Sequence, residues 1–236
     1  MELKTKVMRV VEKLKINPDN GRIGISAGSG YGKTYLSMAL LKKGLKAGYK
    51  VYALSYTQHS EEKYWDDLKK YGDVVIYEAG FESLELNDLI VFFYKVFEDK
   101  QGKKIIYIND LDLYLENADS TTLALLKKIF SSIRKLNSIL IYEVKDIKGP
   151  NYLSLIYNTK ILFLGKSGRD EDTLFKHIGF EDLKYYYNEL KEKDHEFLAI
   201  DINNKKVEFV KVIGDEIVRI PKKINIENMG GEDEPY

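Results

Sequence analysis

The residues best equipped for chemistry form one stretch, Ala27-Gly28-Ser29-Gly30-Tyr31-Gly32-Lys33-Thr34, set between the apolar run Ile23-Gly24-Ile25 and the helical pattern Tyr35-Leu36-Ser37-Met38-Ala39-Leu40-Leu41. Glycines that let backbone N–H groups turn inward, then a lysine, a hydroxyl and a helix, are the parts of a phosphate cradle. A nucleoside triphosphate carries several negative charges. Its site needs backbone donors free of obstructing side chains, which Gly28, Gly30 and Gly32 allow. Lys33 is expected to reach the β- and γ-phosphates and Thr34 to place its hydroxyl on Mg²⁺, with the positive end of the helix dipole at the same place. Ser29, Tyr31 and Tyr35 complete the expected set of nucleotide contacts. The pattern is that of a Walker A loop, with Ala27 where the motif usually opens on glycine.

Such a loop needs a strand before it and a helix after it, and the chain supplies that alternation repeatedly. After the cradle a helix is expected over residues 33–47, stopped by Gly48, followed by the strand Tyr49-Lys50-Val51-Tyr52-Ala53-Leu54-Ser55. A helix over 61–71 points Trp65 and Leu68 at the core, Val74-Val75-Ile76-Tyr77 reads as a strand, and 87–98 as a strongly apolar helix. Parallel strands need crossover connections, and right-handed crossovers cover both faces of the sheet with helices. Ligands of such sheets sit at the carboxyl ends of the strands, so the next strand should carry the second half of the site.

That strand is Lys103-Lys104-Ile105-Ile106-Tyr107-Ile108, and Asn109-Asp110-Leu111-Asp112 follows it. A carboxylate there would hold Mg²⁺ through water and orient the attacking water. Asp110 is the expected residue. In an alternative register Asn109 takes the metal-side position and Asp110 the next one, with Asp112 two further on, which would imply slow or absent hydrolysis. Asp119-Ser120 cap a helix expected to run to Leu136, Ser138 to Val144 is a further strand, and Lys160 to Gly165 is the last central one. Glu143 and Lys145 stand near the end of the penultimate strand, where a γ-phosphate sensor often lies. For Glu143 a structural ion pair is the expected role.

Beyond Gly165 the pattern changes. Residues 166–172 are loop-like, 176–192 form a polar, tyrosine-rich helical stretch, and 196–200 with 206–212 read as an antiparallel hairpin. The expected organisation is an N-terminal helix over 1–20, a P-loop ATPase core over 21–165, a helix-and-hairpin extension of the same domain over 166–228, and an acidic flexible tail over 229–236. The tail, ending Glu232-Asp233-Glu234-Pro235-Tyr236, resembles the docking tail of bacterial single-strand DNA-binding proteins and so suggests a protein partner.

Composition narrows the classes. The 236 residues contain 37 Lys plus Arg against 37 Asp plus Glu, so the chain as a whole is no diffuse basic nucleic-acid binder, although a local patch can hide in a neutral total. There is no cysteine, hence no disulfide and no thiolate metal site. The opening Met1-Glu2-Leu3-Lys4-Thr5-Lys6 lacks the apolar core of a signal peptide and no run reaches membrane-spanning length, the pattern expected of a soluble cytoplasmic or virus-encoded intracellular protein. Abundant Lys, Glu, Ile and Tyr lean towards a thermophilic source.

From Gly24 to Gly165 the chain resembles the KaiC branch of the RecA-like ATPases. The resemblance rests on the cradle, on Leu40-Leu41-Lys42-Lys43-Gly44-Leu45-Lys46-Ala47-Gly48-Tyr49-Lys50-Val51-Tyr52, on Glu61 to Gly72 and on Ile105 to Leu113. It implies an α/β P-loop NTPase fold with a mostly parallel sheet and helices on both faces, ATP and Mg²⁺ as cofactors, and a site at the subunit interface of a ring or filament. The family commonly places a catalytic glutamate where the second strand here runs out in Ser55-Tyr56-Thr57-Gln58, so Gln58 would position the water without abstracting its proton. Residues 125–165 resemble instead the HerA and FtsK class, which includes viral DNA-packaging ATPases. That likeness would make Arg134 the arginine presented to a neighbour's γ-phosphate, with Arg169 the other candidate, and would make the assembly a DNA translocator. The glutamine of that class is missing from the end of the Ile139 to Tyr142 strand.

Three classes follow: a RecA-like ATPase acting on DNA or a partner complex, a packaging or translocating motor, and a nucleotide-sensing regulator with weak hydrolysis. A small-molecule kinase would need an arginine-rich lid segment that is not evident between the Asn109-Asp110 strand and the end of the core.

Overall fold

Short runs rich in Ile, Val and Tyr that alternate with helices favour a parallel sheet, and the computed structural model has six parallel strands among the described residues. It describes residues 21–55, 58–79, 86–100, 102–115, 119–145, 158–167, 172–180 and 182–222, so the expected N-terminal helix and acidic tail lie outside the described residues. The strands are β1 (Arg22–Ser26), β2 (Lys50–Ser55), β3 (Val74–Glu78), β4 (Lys104–Ile108), β5 (Ser138–Val144) and β6 (Ile161–Leu164). Three antiparallel strands, β7 (Phe197–Asp201), β8 (Lys206–Ile213) and β9 (Glu216–Ile220), extend the same sheet. The order is β3-β2-β4-β5-β1-β6-β7-β8-β9, which puts the strand leading into the glycine loop between β5 and β6.

Helices cover both faces. They are α1 (Lys33–Lys46), α2 (Gln58–Lys69), α3 (Leu86–Glu98), α4 (Leu111–Leu115), α5 (Ser120–Ser132), α6 (Asp172–Ile178) and α7 (Leu183–Asn188). The period of two along the strands sorts the core: Val51 and Ala53, Ile105 and Tyr107, Ile139 and Ile141 pack with Leu36 and Leu40 of α1 and with Trp65 and Leu68 of α2. Their neighbours Tyr52 and Leu54, Ile106 and Ile108, Leu140 and Tyr142 pack on the opposite face with α3, α4 and α5. Leu162 and Leu164 of β6 continue that face under α6 and α7. No helix among the described residues is long and apolar enough to cross a membrane.

Three expectations change in detail. The polar helical stretch over 176–192 is broken: α6 ends at Ile178, Gly179 takes a left-handed backbone (φ 64°), and α7 starts afresh at Leu183. The helix expected to reach Leu136 tightens into a 3₁₀ turn over Ile133–Leu136 before Asn137, also left-handed at φ 52°, leads into β5. The C-terminal hairpin carries a third strand. β9 returns along β8 through the two residues Gly214 and Asp215, with Ile213 paired to Glu216.

Candidate nucleotide site

The cradle sits where β1 gives way to α1. Gly30 (φ 75°) and Gly32 (φ 94°) both take left-handed backbone, which a side chain would strain, and α1 begins at Lys33 directly after Gly32. No acidic residue stands in the first turn of α1, so none of that helix's own side chains offsets its positive end. Lys33 is buried, and its ammonium donates to the carbonyl oxygens of Ala27 (3.1 Å) and Gly28 (3.3 Å). Its charge is thus held inside the curve of the loop. Ser29 and Gly30 are exposed at the loop's tip.

The carboxyl edges of β4 and β5 face this loop. Asn109, 2% exposed, continues the pairing of β4 by donating its N–H to the Leu54 carbonyl (3.1 Å). Asp110 is buried with a left-handed backbone (φ 42°), a conformation that aspartate tolerates better than most residues and that recurs at functional turns. Asp112, in the first turn of α4, accepts the Lys145 backbone N–H on Oδ2 (3.3 Å). Burial pushes its carboxyl upward, and the neighbouring Asp110 adds to the shift. Asp112 therefore ties two strand ends together, which separates its place from that of Asp110.

Glu143 was expected in an ion pair, and the structure gives it hydroxyl partners instead. It is fully buried, Oε1 accepting from the Tyr107 hydroxyl (2.5 Å) and Oε2 from Thr34 Oγ1 (3.2 Å). The alternation of β5 places it on the α1 face, and the parallel register sets it beside Ile25, one residue short of the end of β1. Burial pushes its carboxyl up to about 7, opposed by the Ser37 and Tyr107 hydroxyls and the Lys33 charge and reinforced by Asp110. Hydroxyl, amide and carboxylate oxygens are the donors that Mg²⁺ takes, and they stand here beside the glycine loop. Among the described residues no group of three or more His, Asp or Glu could hold a metal by itself.

Tyr31 contributes differently from the other loop residues. Its side chain turns away from the loop's tip, its phenol donating to the Glu196 carbonyl (2.6 Å) and its ring standing edge-on to Phe197 (5.1 Å). The Tyr31 carbonyl lies 3.0 Å from His195 Nδ1, and burial raises the phenol to about 12. A methyl group at Gly165 would stand 2.4 Å from the Tyr31 ring, which explains the glycine directly after β6. The antiparallel extension therefore grips the phosphate loop. Tyr35, by contrast, is exposed, and its hydroxyl donates to Gly214 in the β8–β9 turn (2.7 Å).

The remaining candidates fall outside this cluster or outside description. Gln58, read from the sequence as the run-out of the second strand, is the first residue of α2, so its backbone lies beyond the carboxyl end of β2. Arg134 stands in the 3₁₀ turn before β5, on the side of the sheet where the parallel strands begin and opposite the glycine loop. Arg169 lies outside the described residues.

No protein-family model matches the sequence, and no curated protein matches it. Solved structures do. The genome packaging NTPase B204 of Sulfolobus turreted icosahedral virus 2, in complex with ATPγS, superimposes with a TM-score of 0.61 at 15% identity, over 83% of this chain and 98% of that one. ATPases 2 and 3 of EssC from Geobacillus thermodenitrificans give 0.53 at 16% identity, over 78% of this chain and 38% of that one. The pCW3 conjugation coupling protein TcpA with ATPγS gives 0.51 at 13%, over 85% and 59%. At these identities the likeness is one of fold: the chain has the α/β fold of P-loop ATPases, a mostly parallel sheet with helices on both faces, in line with the RecA-like and HerA/FtsK resemblances of its sequence.

Proposed function

We propose that this chain binds ATP with Mg²⁺ at the loop formed by Gly28, Ser29, Gly30, Tyr31, Gly32, Lys33 and Thr34, and hydrolyses it to drive the movement of DNA within an oligomer. The observation that carries the nucleotide half is the Lys33 ammonium, buried against the loop's own carbonyls at the N-terminus of α1, with Asn109, Asp110 and Glu143 at the facing strand ends. Incoming phosphates would take over that ammonium, with backbone N–H groups and the α1 dipole adding to the attraction. The DNA half rests on fold analogy, since the neighbours named above include a viral genome packaging NTPase and a conjugation coupling protein. In that reading a ring brings an arginine, Arg134 or Arg169, to the next subunit's γ-phosphate. The domain limits, core over 21–165 and extension over 166–228, belong to the same proposal.

A second reading keeps ATP binding and drops most turnover, as in a nucleotide sensor that changes its assembly or partner. Asn109 favours it, because an amide at the end of β4 binds Mg²⁺ more weakly than a carboxylate and removes no proton from water.

ATP turnover measured against Mg²⁺, with and without single- and double-stranded DNA while light scattering follows the mass, separates the two. DNA-stimulated turnover in an oligomer supports the motor, whose DNA affinity should fall steeply with salt. Binding with negligible turnover and ATP-dependent assembly supports the sensor. Absence of any nucleotide binding overturns both.

A further inference from the structure

In P-loop ATPases the Mg²⁺ that accompanies the phosphates is shared between the loop's Ser or Thr hydroxyl and a carboxylate on the strand beside the site. At the end of β4 stand Asn109, which carries no charge, Asp110, which turns on a left-handed backbone (φ 42°), and Asp112, which accepts the Lys145 N–H. The Thr34 hydroxyl donates to Glu143, on the strand that lies directly between β4 and β1.

We propose that Glu143 is the metal-side carboxylate of this site, so that the acidic partner of Thr34 has moved from β4 to β5 and Asn109 is left as its neutral neighbour. The inference rests on the reading of the loop as a Mg²⁺-nucleotide site. Three observations carry it. Thr34 Oγ1 and Glu143 Oε2 are within hydrogen-bond distance, at 3.2 Å. The register of β5 against β1 puts Glu143 beside Ile25, two residues before the loop opens, and the pleat turns it towards α1. The third is energetic: Glu143 is fully buried, the groups bonded to it are neutral hydroxyls, and the Lys33 ammonium acts on it only through space while bonding the carbonyls of Ala27 and Gly28. A buried carboxylate without a bonded cation is costly, and a glutamine or an apolar residue of similar volume would serve packing better. A carboxylate kept there is explained by a cation that it serves.

The test uses the full chain and ATPγS. Affinity for ATPγS is measured in Mg²⁺ and in EDTA, and Mn²⁺ binding to the protein–ATPγS complex is followed by electron paramagnetic resonance. Glu143→Gln, which keeps the shape and both hydroxyl contacts, is expected to weaken metal affinity in the complex by about 10- to 100-fold, while affinity in EDTA stays at the wild-type value. Adding Asn109→Asp to that variant restores a carboxylate one strand away and should recover much of the metal affinity. Unchanged metal affinity in Glu143→Gln overturns the assignment. Should that variant fail to fold, the wild-type chain decides: Fe²⁺ substituted for Mg²⁺ in the ATPγS complex and treated with ascorbate should cut the backbone near 34 and near 143. Cutting near 109–112 with none near 143 overturns it. A wild-type chain that binds no ATPγS in either buffer overturns the nucleotide reading itself, a result distinct from either of these.

Discussion

The Tyr31 phenol donates to the Glu196 carbonyl at 2.6 Å, so a residue of the phosphate loop is held by a segment 165 positions later in the chain. Around that bond the Tyr31 ring packs on Phe197 and against Gly165, and the Glu196 carboxylate in turn pairs with Lys222 and accepts the Lys191 N–H (3.0 Å). The loop's conformation and the antiparallel extension are therefore one structural unit. Tyr31→Phe removes the bond and leaves the carbonyl without it, and is expected to cost about 1–2 kcal/mol in urea denaturation. Gly165→Ala drives a methyl group into the same ring and should cost about 1–3 kcal/mol. A double variant with Tyr31→Leu should recover part of the Gly165→Ala loss if the collision is its cause.

Lys33→Ala takes away the one ammonium inside the loop and the two hydrogen bonds it makes to Ala27 and Gly28. ATP binding and turnover are expected to fall by at least about tenfold, since a bond to a charged group is worth roughly 1.5–3 kcal/mol. Isothermal titration with ATPγS reads the loss. Unreduced affinity would remove Lys33 from the site.

Asp110→Asn and Asp112→Asn separate the two acidic residues after β4. Asparagine tolerates the left-handed backbone of Asp110 (φ 42°), so the first variant should fold and lose Mg²⁺-dependent turnover. The second keeps an oxygen for the Lys145 N–H and should lose less. Turnover with saturating ATP ranks them, and the opposite ranking would shift the water-orienting role to Asp112.

Glu143 gives the nucleotide-free protein a distinct pH response. Its carboxyl is pushed up to about 7 in the folded chain from an ordinary 4.5, so between these values the folded state holds a proton that the unfolded state has released. Stability is then greatest below that window, falls as the pH rises through it, and levels off above about 7, by roughly 3 kcal/mol in all. Urea midpoints at successive pH values in EDTA measure the slope. Glu143→Gln has no such proton to lose, and should flatten the profile and be the more stable protein at pH 8.

Much of the site was legible in the chain because its signals are local. A glycine loop, a lysine and a hydroxyl must be contiguous to wrap a phosphate, and α1 follows them at once. The continuous apolar runs of β4 and β5 and the stop at Gly48 depend on neighbours a few residues apart, which is why strand positions and the end of α1 were readable. The β9 strand also had a local signal, the Gly214-Asp215 turn between alternating runs. Tertiary structure decided what depends on distant partners. Glu143 looked like half of an ion pair until β5 was inserted between β4 and β1, bringing it to Thr34, 109 residues away. The turn at Asp110 and the inward fold of Tyr31 were likewise invisible, since one is a backbone conformation imposed where β4 meets α4 and the other awaits Phe197. Sequence by itself determined the glycine loop set between a strand and a helix and the parallel α/β layering, because both follow from residue type and short-range period. Which carboxylate faces Thr34, and what holds the loop, were decided only by strand order and register, which are set by burial across the whole sheet.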